Sequence, residues 1–268
     1  MVTGAAGGFG RLISSMAAER GAGVVLADVD GDGAETAAAE LRDRGGAAEA
    51  VTADVRVLTD MQAVVSRAVE RFGRVDVMVN NAGTMPLAFF SDHAAAWEAW
   101  DRCIDINLKG TLNGICAAYD RMIEQGRGHI VNISSIYGNA GTEGSAVYSA
   151  TKAAVVVRAD SLRKEARGRI KVTTVRPTGV IGTGLGASVV NPAATSGITG
   201  PHQDDFIARV MAHIGGVLDG PEVDIDDPRF WAIEPETIAA EVIHAIDQPW
   251  GVTISDVTVR ATGEDYVI

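Results

Sequence analysis

Basic residues, cysteines and long apolar runs are all scarce in this 268-residue sequence. Lysine and arginine number 23 against 35 acidic residues, which gives a formal net charge of −12 at pH 7. Nucleic acids and anionic membrane surfaces attract basic patches, so this charge balance disfavours both as partners. No apolar run approaches the length of a membrane span, and no basic-then-apolar leader opens the chain. We therefore expect a cytoplasmic protein that acts on a small molecule.

Patterns typical of metal sites and disulfides are also missing. The two cysteines, Cys103 and Cys116, show neither metal-ligand nor redox spacing, which fits a reducing compartment. The five histidines form no HxxxH or HExxH pattern, so we expect no metal site. The acidic run 222–227 lacks the spacing of a metal-binding loop, and we interpret it as solvated surface.

The chain does contain a regular alternation of short β-branched runs and longer helical patterns. The predicted strands end at Asp28, Asp54, Asn80, Ser134, Val175 and Val259. The predicted helices lie at about 35–45, 61–73, 95–125, 151–166 and 235–246. Near-continuous apolar strands separated by helices predict a parallel sheet that is covered on both faces. We therefore predict an α/β fold in which residues 1–268 form a single-domain, doubly wound Rossmann-type sheet.

The segment 184–233 interrupts this alternation. It is rich in glycine and proline at first, then amphipathic, then acidic. Its apolar positions recur near helical spacing: Phe206, Ile207, Val210, Met211, Ile214, Val217 and Leu218. Long connections in compact domains usually serve function, so we predict a lid over a hydrophobic substrate. The alternative is that this helix packs on its own subunit or on a neighbour.

The chain opens with MVTGAAGGFG, a glycine-rich turn that runs into a helical pattern. Glycines of this kind let a pyrophosphate approach backbone N–H groups at a helix N-terminus, although they also serve close packing. Asp28 closes the next predicted strand, where a carboxylate can bind both hydroxyls of an adenosine ribose and repel a 2′-phosphate. Together the turn and Asp28 predict an NAD site.

Only Met1 and Val2 precede the glycine turn, whereas strands usually run ~5–6 residues. We expect the first strand to end at or before Thr3. Each unpaired backbone group in the centre of a sheet costs ~1–3 kcal/mol, so we expect the natural chain to begin several residues upstream.

Tyr148 and Lys152 form the most distinctive pair in the sequence. Residues four apart lie on the same face of a helix, and the chain has only four tyrosines and four lysines. A nearby cation lowers the pKa of a phenol toward the range of a general base. Ser135 ends a predicted strand, so it should meet the start of the Tyr148 helix at one rim of the sheet. Taken singly, Ser135 is better interpreted as a loop cap and Tyr148 as a packing residue.

These features together resemble the short-chain dehydrogenase/reductase family over essentially the full length of the chain. The TGAAGGFG turn, NNAG at 80–83, Ser135, and Tyr148 with Lys152 follow in the family's order. The resemblance implies a catalytic tetrad that Asn107 completes. In that mechanism the Tyr exchanges a proton with the substrate oxygen, which the Ser hydroxyl holds. The Lys binds the nicotinamide ribose and lowers the Tyr pKa, and the Asn helps to position a water.

The resemblance also implies a set of contacts with NAD. The residues expected to contact NAD are Gly4, Gly8, Phe9, Gly10, Asp28, Asp54, Val55, Asn81, Ala82, Gly83, Tyr148, Lys152, Pro177, Val180 and Thr183. Within this set, Asp54 and Val55 should meet the adenine. One departure from the family is Thr178, which stands where a glycine is usual, with an apparent one-residue slip before Thr183. Whether Thr183 reaches the nicotinamide amide is left open.

The sequence thus predicts an oxidoreductase that transfers hydride between NAD and a secondary alcohol or ketone, with a hydrophobic or cyclic substrate. One alternative is an NADPH-linked ketoreductase of the same family, which Asp28 disfavours. Another is a non-catalytic dinucleotide sensor or scaffold, which need not keep all four catalytic residues. The family resemblance further implies a homotetramer or homodimer built on the helices 95–125 and 152–167.

Overall fold

The computed structural model describes residues 1–268, and a seven-stranded parallel sheet lies at its centre. The strands are β1 (Val2–Thr3), β2 (Val24–Asp28), β3 (Ala48–Thr52), β4 (Val77–Asn80), β5 (Gly128–Ile133), β6 (Ile170–Pro177) and β7 (Asp256–Val259). Their order across the sheet is β3-β2-β1-β4-β5-β6-β7. The winding direction reverses between β1 and β4, and ligands of such sheets bind at this switch point.

Helices cover both faces of the sheet, as predicted. They are α1 (Gly8–Glu19), α2 (Gly31–Asp43), α3 (Leu58–Phe72), α4 (His93–Cys103), α5 (Thr111–Glu124), α6 (Ala146–Glu165), α7 (Ser196–Thr199), α8 (Gln203–Ile214) and α9 (Pro235–Ile246). None of them is both long enough and apolar enough to span a membrane.

The core has two halves because successive strand residues point to opposite faces. Leu26 and Val79 pack with α1, α2 and α9 on one face. Val25 and Met78 pack with α3, α5 and α6 on the other. Each half buries a separate set of apolar side chains, which explains why the strand sequences are near-continuous apolar runs.

The first strand is short but central. Val2 pairs with Leu26 of β2 on one side and with Val79 of β4 on the other. The strand ends at Thr3, as the sequence predicted. It therefore delivers the glycine turn to the middle of the sheet's carboxyl edge.

Several predicted elements differ in extent from those observed, three of them for a clear reason. The predicted helix 95–125 is divided, since a π-helical segment, Ile104–Gly110, separates α4 from α5. The third strand stops at Thr52, because the N–H of Asp54 donates to the carboxylate of Asp60 instead of continuing the ladder (3.0 Å). The last strand is confined to Asp256–Val259, which is the part that pairs with β6.

Candidate active site

Two adjoining cavities lie along the carboxyl edge of the sheet. The larger has a volume of about 560 Å³ and the smaller about 510 Å³. Gly4, Ala82 and Gly83 line both, so the cavities form one cleft across the switch point.

The glycine turn forms one wall of this cleft. Gly4 and Gly8 have φ angles of +64° and +49°, in the left-handed region that favours glycine. Gly7, Gly8 and Phe9 line the larger cavity, and a Cβ at Gly7 would stand in open space. Gly10 lies outside both cavities. A Cβ there would overlap the carbonyl oxygen of Gly4, so Gly10 serves the close packing of α1 against the turn.

Thr3 and Asn81 hold the glycine turn against the loop that follows β4. The side-chain amide of Asn81 donates to the carbonyls of Thr3 (2.8 Å) and Gly4 (3.1 Å). In return, the backbone N–H groups of Asn81 and Ala82 donate to the Thr3 hydroxyl (3.0 and 3.1 Å). The two walls of the cleft are therefore hydrogen-bonded to each other at the switch point.

The Asp28 carboxylate is fixed at the edge of the smaller cavity. One oxygen accepts from the N–H of Ala6 (2.9 Å) and the other from the N–H of Asp30 (3.0 Å). Because each carboxylate oxygen has a second lone pair, Asp28 can still accept from two further donors. This is the arrangement that a pair of ribose hydroxyls requires.

Asp54 and Val55, the residues expected at the adenine, line the same cavity. Arg56 and Arg102 line it too, which the sequence analysis did not anticipate. The guanidinium of Arg56 pairs with Asp54 (2.6 Å), and this hydrogen bond lowers the pKa of the Asp54 carboxyl. The charge of the smaller cavity is therefore mixed rather than purely acidic.

Ser135, Tyr148 and Lys152 come together on the wall of the larger cavity. Ser135 follows β5, whereas Tyr148 and Lys152 lie one turn apart on α6. All three are buried, and the ammonium of Lys152 donates to the carbonyl of Ile133 (2.9 Å). The same ammonium lies 5.8 Å from the centroid of the Tyr148 ring. The structure thus assembles the trio from two separate elements.

Burial dominates the electrostatics of this trio. It raises the pKa of Tyr148, although a hydrogen bond with Ser135 opposes that shift. Removal of the phenol from water is the largest influence on this pKa, and it opposes the lowering expected from the Lys152 cation. Burial also lowers the pKa of Lys152 to about 8.

Asn107 lies behind this wall and does not line either cavity. Its side-chain oxygen accepts from the N–H of Thr84 (2.9 Å), and its nitrogen donates to the carbonyl of Thr84 (2.9 Å). The same nitrogen lies 3.2 Å from the Thr151 hydroxyl on α6. Asn107 therefore connects the π-helical segment, the loop after β4 and the helix that carries Tyr148.

The end of β6 and the segment after it line the larger cavity through Pro177, Val180 and Thr183. Thr183 reaches the glycine turn, since a Cβ at Gly8 would come within 3.0 Å of its carbonyl oxygen. The departure at Thr178 is accommodated because its hydroxyl donates to the carbonyl of Val259 in β7 (3.0 Å).

Parts of the segment 184–233 and of the C-terminus line the larger cavity. Phe206 and Val210 of α8 line it, whereas the other large apolar residues of this helix are largely exposed: Ile207, Met211 and Ile214. Trp231 and Tyr266 also line it, and so does Tyr137. Sequence reasoning missed these three aromatic residues. Of these three, only Tyr137 could have been suspected from the sequence, because it lies two residues after Ser135.

Comparisons with known proteins agree with this architecture. The model of the short chain dehydrogenase family matches residues 1–193. An uncharacterized oxidoreductase of Staphylococcus aureus strain MRSA252 is 33% identical over 261 residues, which are 97% of this chain and 95% of that protein.

Solved structures of related proteins superpose over almost the whole chain. A variant of actinorhodin polyketide ketoreductase, solved with NADPH, is 30% identical with a TM-score of 0.78, covering 98% of this chain and 95% of that one. A short-chain dehydrogenase/reductase from Burkholderia phymatum, solved in complex with NAD, is 26% identical with a TM-score of 0.74, covering 96% of this chain and 86% of that one.

We expect Lys152→Met to stabilise the folded chain at neutral pH, because the variant no longer buries an ammonium. Between a folded pKa of about 8 and the ordinary 10.5, the wild-type unfolded state binds more protons than the folded state. Wild-type stability should therefore rise with pH across that window. The advantage of the variant should reach at most ~3 kcal/mol below pH 8 and shrink as pH approaches 10.5.

Urea unfolding at pH 7 and pH 9.5 measures this difference. Lys164→Met is the matched control, since Lys164 is exposed on the same helix. A Lys152→Met protein that is less stable than wild type, by the same amount at both pH values, would contradict the conclusion that the buried ammonium lowers the stability of the folded chain.

Proposed function

The chain belongs to the short-chain dehydrogenase family, and from that premise we propose that it is an NAD-dependent oxidoreductase of secondary alcohols and ketones. One observation carries the proposal. Ser135, Tyr148 and Lys152 are buried together on the wall of the cavity that the glycine turn also lines. A proton-transferring phenol thus faces the space in which cofactor and substrate would meet.

The cleft fits a dinucleotide. Side-chain-free backbone at Gly7 and Gly8, at the N-terminus of α1, suits a pyrophosphate. Asp28 suits the hydroxyls of the adenosine ribose, and Lys152 those of the nicotinamide ribose. When NAD is bound, its nicotinamide supplies the hydride acceptor or donor.

Side chains of the protein then hold the substrate oxygen and exchange a proton with it. The Ser135 hydroxyl holds that oxygen, and Tyr148 donates a proton to a ketone or removes one from an alcohol. Because burial raises its pKa, Tyr148 keeps its proton at neutral pH and is ready to donate it. Donation of this proton to a ketone leaves a phenolate, which the nearby Lys152 ammonium stabilises, and in the reverse direction that phenolate takes up the proton of an alcohol. Asn107 positions the surrounding backbone through Thr84.

We propose a hydrophobic, cyclic substrate, with the segment 184–233 as its lid. Phe206 and Val210 of α8 line the larger cavity together with Trp231, all within or close to this segment. The Phe206 and Trp231 rings lie 5.8 Å apart, which gives the cavity an aromatic wall. Flat apolar ring systems pack well against such a wall.

A specific observation also favours the NADPH-linked alternative. Arg56 and Arg102 both line the cavity beside Asp28, and guanidinium groups bind phosphates well. Arg56 is already paired with Asp54, however, and the fixed Asp28 carboxylate repels a 2′-phosphate. We therefore keep NAD as the proposed cofactor.

Replacement of Tyr148 by phenylalanine should lower kcat by ~10²–10⁴-fold, the range for loss of a general acid/base. NAD affinity should change little, because the ring and its packing remain. Turnover on a panel of cyclic alcohols, followed by NADH absorbance, provides the measurement, with Tyr119→Phe as the control. Near-wild-type turnover by Tyr148→Phe would place the proton transfer elsewhere.

The wild-type protein should use NAD at least tenfold more efficiently than NADP, judged by kcat/KM. Asp28→Ser should lower the ratio of kcat/KM with NAD to kcat/KM with NADP, since it removes both the ribose contact and the repulsion of the phosphate. Asp32→Asn serves as control, because Asp32 lies outside both cavities. Comparable efficiency with the two cofactors in wild type would favour the NADPH-linked alternative.

We also propose a homodimer or homotetramer that buries the exposed apolar side chains of the helical region 95–125 and of α6. Trp97, Ile104, Leu112 and Val157 are all exposed there. Light scattering at micromolar concentration should give two or four subunits, and Val157→Glu should shift the protein to smaller species. Val252→Glu, at an exposed position outside these helices, should not. A wild-type monomer contradicts this proposal.

A further inference from the structure

Three of the four tyrosines gather around one cavity. Tyr137, Tyr148 and Tyr266 all line the larger cavity, whereas Tyr119 lies on α5 and packs against the core on one face of the sheet. The rings of Tyr137 and Tyr148 meet edge to face with centroids 5.4 Å apart. The proposed chemistry uses only one of these three phenols, Tyr148.

The hydroxyls of Tyr137 and Tyr266 have no protein partner. Neither is among the fully enclosed polar atoms that lack a hydrogen bond, so both are open to the cavity that their rings line. Burial raises the pKa of each phenol, so both remain neutral donors near pH 7. The Tyr137 side chain is nevertheless buried, with its residue only 6% exposed.

The C-terminal tail holds Tyr266 firmly in place. On one side of it, Asp265 accepts two hydrogen bonds from Arg209 of α8 (2.8 and 2.6 Å) and one from the Trp231 indole (2.9 Å). On the other side, the N–H of Val267 donates to a carbonyl of α7 (2.9 Å). Tyr266 is therefore a preorganised part of the pocket rather than a loose end.

The surroundings of these hydroxyls are largely apolar. The Phe206 ring lies 5.9 Å from that of Tyr266, and Leu87, Val210 and Ile198 also line the cavity. When a ligand fills the cavity and excludes water from these hydroxyls, each costs free energy unless the ligand accepts a hydrogen bond from it. Two phenols without protein partners at this wall indicate that a bound ligand supplies a hydrogen-bond acceptor.

We propose that Tyr137 and Tyr266 recognise a second oxygen of the substrate. The substrate is then a hydrophobic ring compound with two oxygen functions. One reacts at Ser135 and Tyr148, and the other accepts a hydrogen bond from Tyr266 or Tyr137. This inference rests on the proposed oxidoreductase function and names its substrate class more closely.

A matched set of bicyclic ketones tests the inference. The parent is 1-tetralone, and 5-, 6- and 7-hydroxy-1-tetralone add an oxygen at different distances from the carbonyl. We expect wild type with NADH to prefer one hydroxylated isomer over the parent by about tenfold or more in kcat/KM. One hydrogen bond worth ~1.4 kcal/mol corresponds to that factor.

Tyr266→Phe and Tyr137→Phe remove one hydroxyl each and keep the ring. At least one of them should abolish this preference, chiefly by raising the KM of the preferred hydroxylated isomer. Tyr119→Phe should behave as wild type. The inference is overturned if wild type shows no preference, or if both pocket variants retain it.

Calorimetric binding of the same ketones to the NAD-loaded protein separates this inference from the proposed function. If no ketone is reduced but Tyr266→Phe or Tyr137→Phe weakens the binding of a hydroxylated isomer about tenfold, the second-oxygen site stands and the proposed function fails. If ketones are reduced but neither variant changes the discrimination, the proposed function stands and the second-oxygen site is wrong.

Discussion

The hydrogen bonds between Thr3 and Asn81 are the interaction on which the arrangement of the site depends. Thr3 ends a strand of only two residues, yet its carbonyl and hydroxyl accept three hydrogen bonds from Asn81 and Ala82. These bonds fix the glycine turn and the loop after β4 as opposite walls of one cleft. Strand pairing alone would leave both loops free to move apart, because β1 offers so few ladder bonds.

The second constraint is the burial of polar groups beside that cleft. Lys152 keeps an ammonium in a site where burial lowers its pKa to about 8, and Tyr148 keeps a phenol whose pKa is raised. Such groups lower the stability of the folded chain, and perturbed pKa values of this kind cluster at sites that carry out proton transfer. The same logic extends to Tyr137 and Tyr266, whose hydroxyls face the cavity without protein partners. A substrate oxygen would satisfy them.

The sheet and the grouping of Ser135, Tyr148 and Lys152 could be predicted because each has a local signal. Apolar runs mark the strands, and the four-residue spacing of Tyr148 and Lys152 places both on one helix face. The convergence of Ser135 with them follows from parallel-sheet geometry. By contrast, Arg102 and Tyr266 reach the cleft only through tertiary packing, the latter through the Arg209–Asp265 ion pair of the tail. The π-helical turn around Asn107 has no signature in hydrophobic periodicity, since the helices on both sides of it continue the pattern.

The most direct test of the account is deuterium transfer to the cofactor. The protein is incubated with NAD and cyclic secondary alcohols deuterated at the carbinol carbon, and the mass of the reduced cofactor is measured. The account predicts that at least one alcohol yields NADH one mass unit heavier than unlabelled NADH. Saturable binding of NAD without deuterium transfer from any alcohol would contradict it and favour a non-catalytic dinucleotide-binding protein.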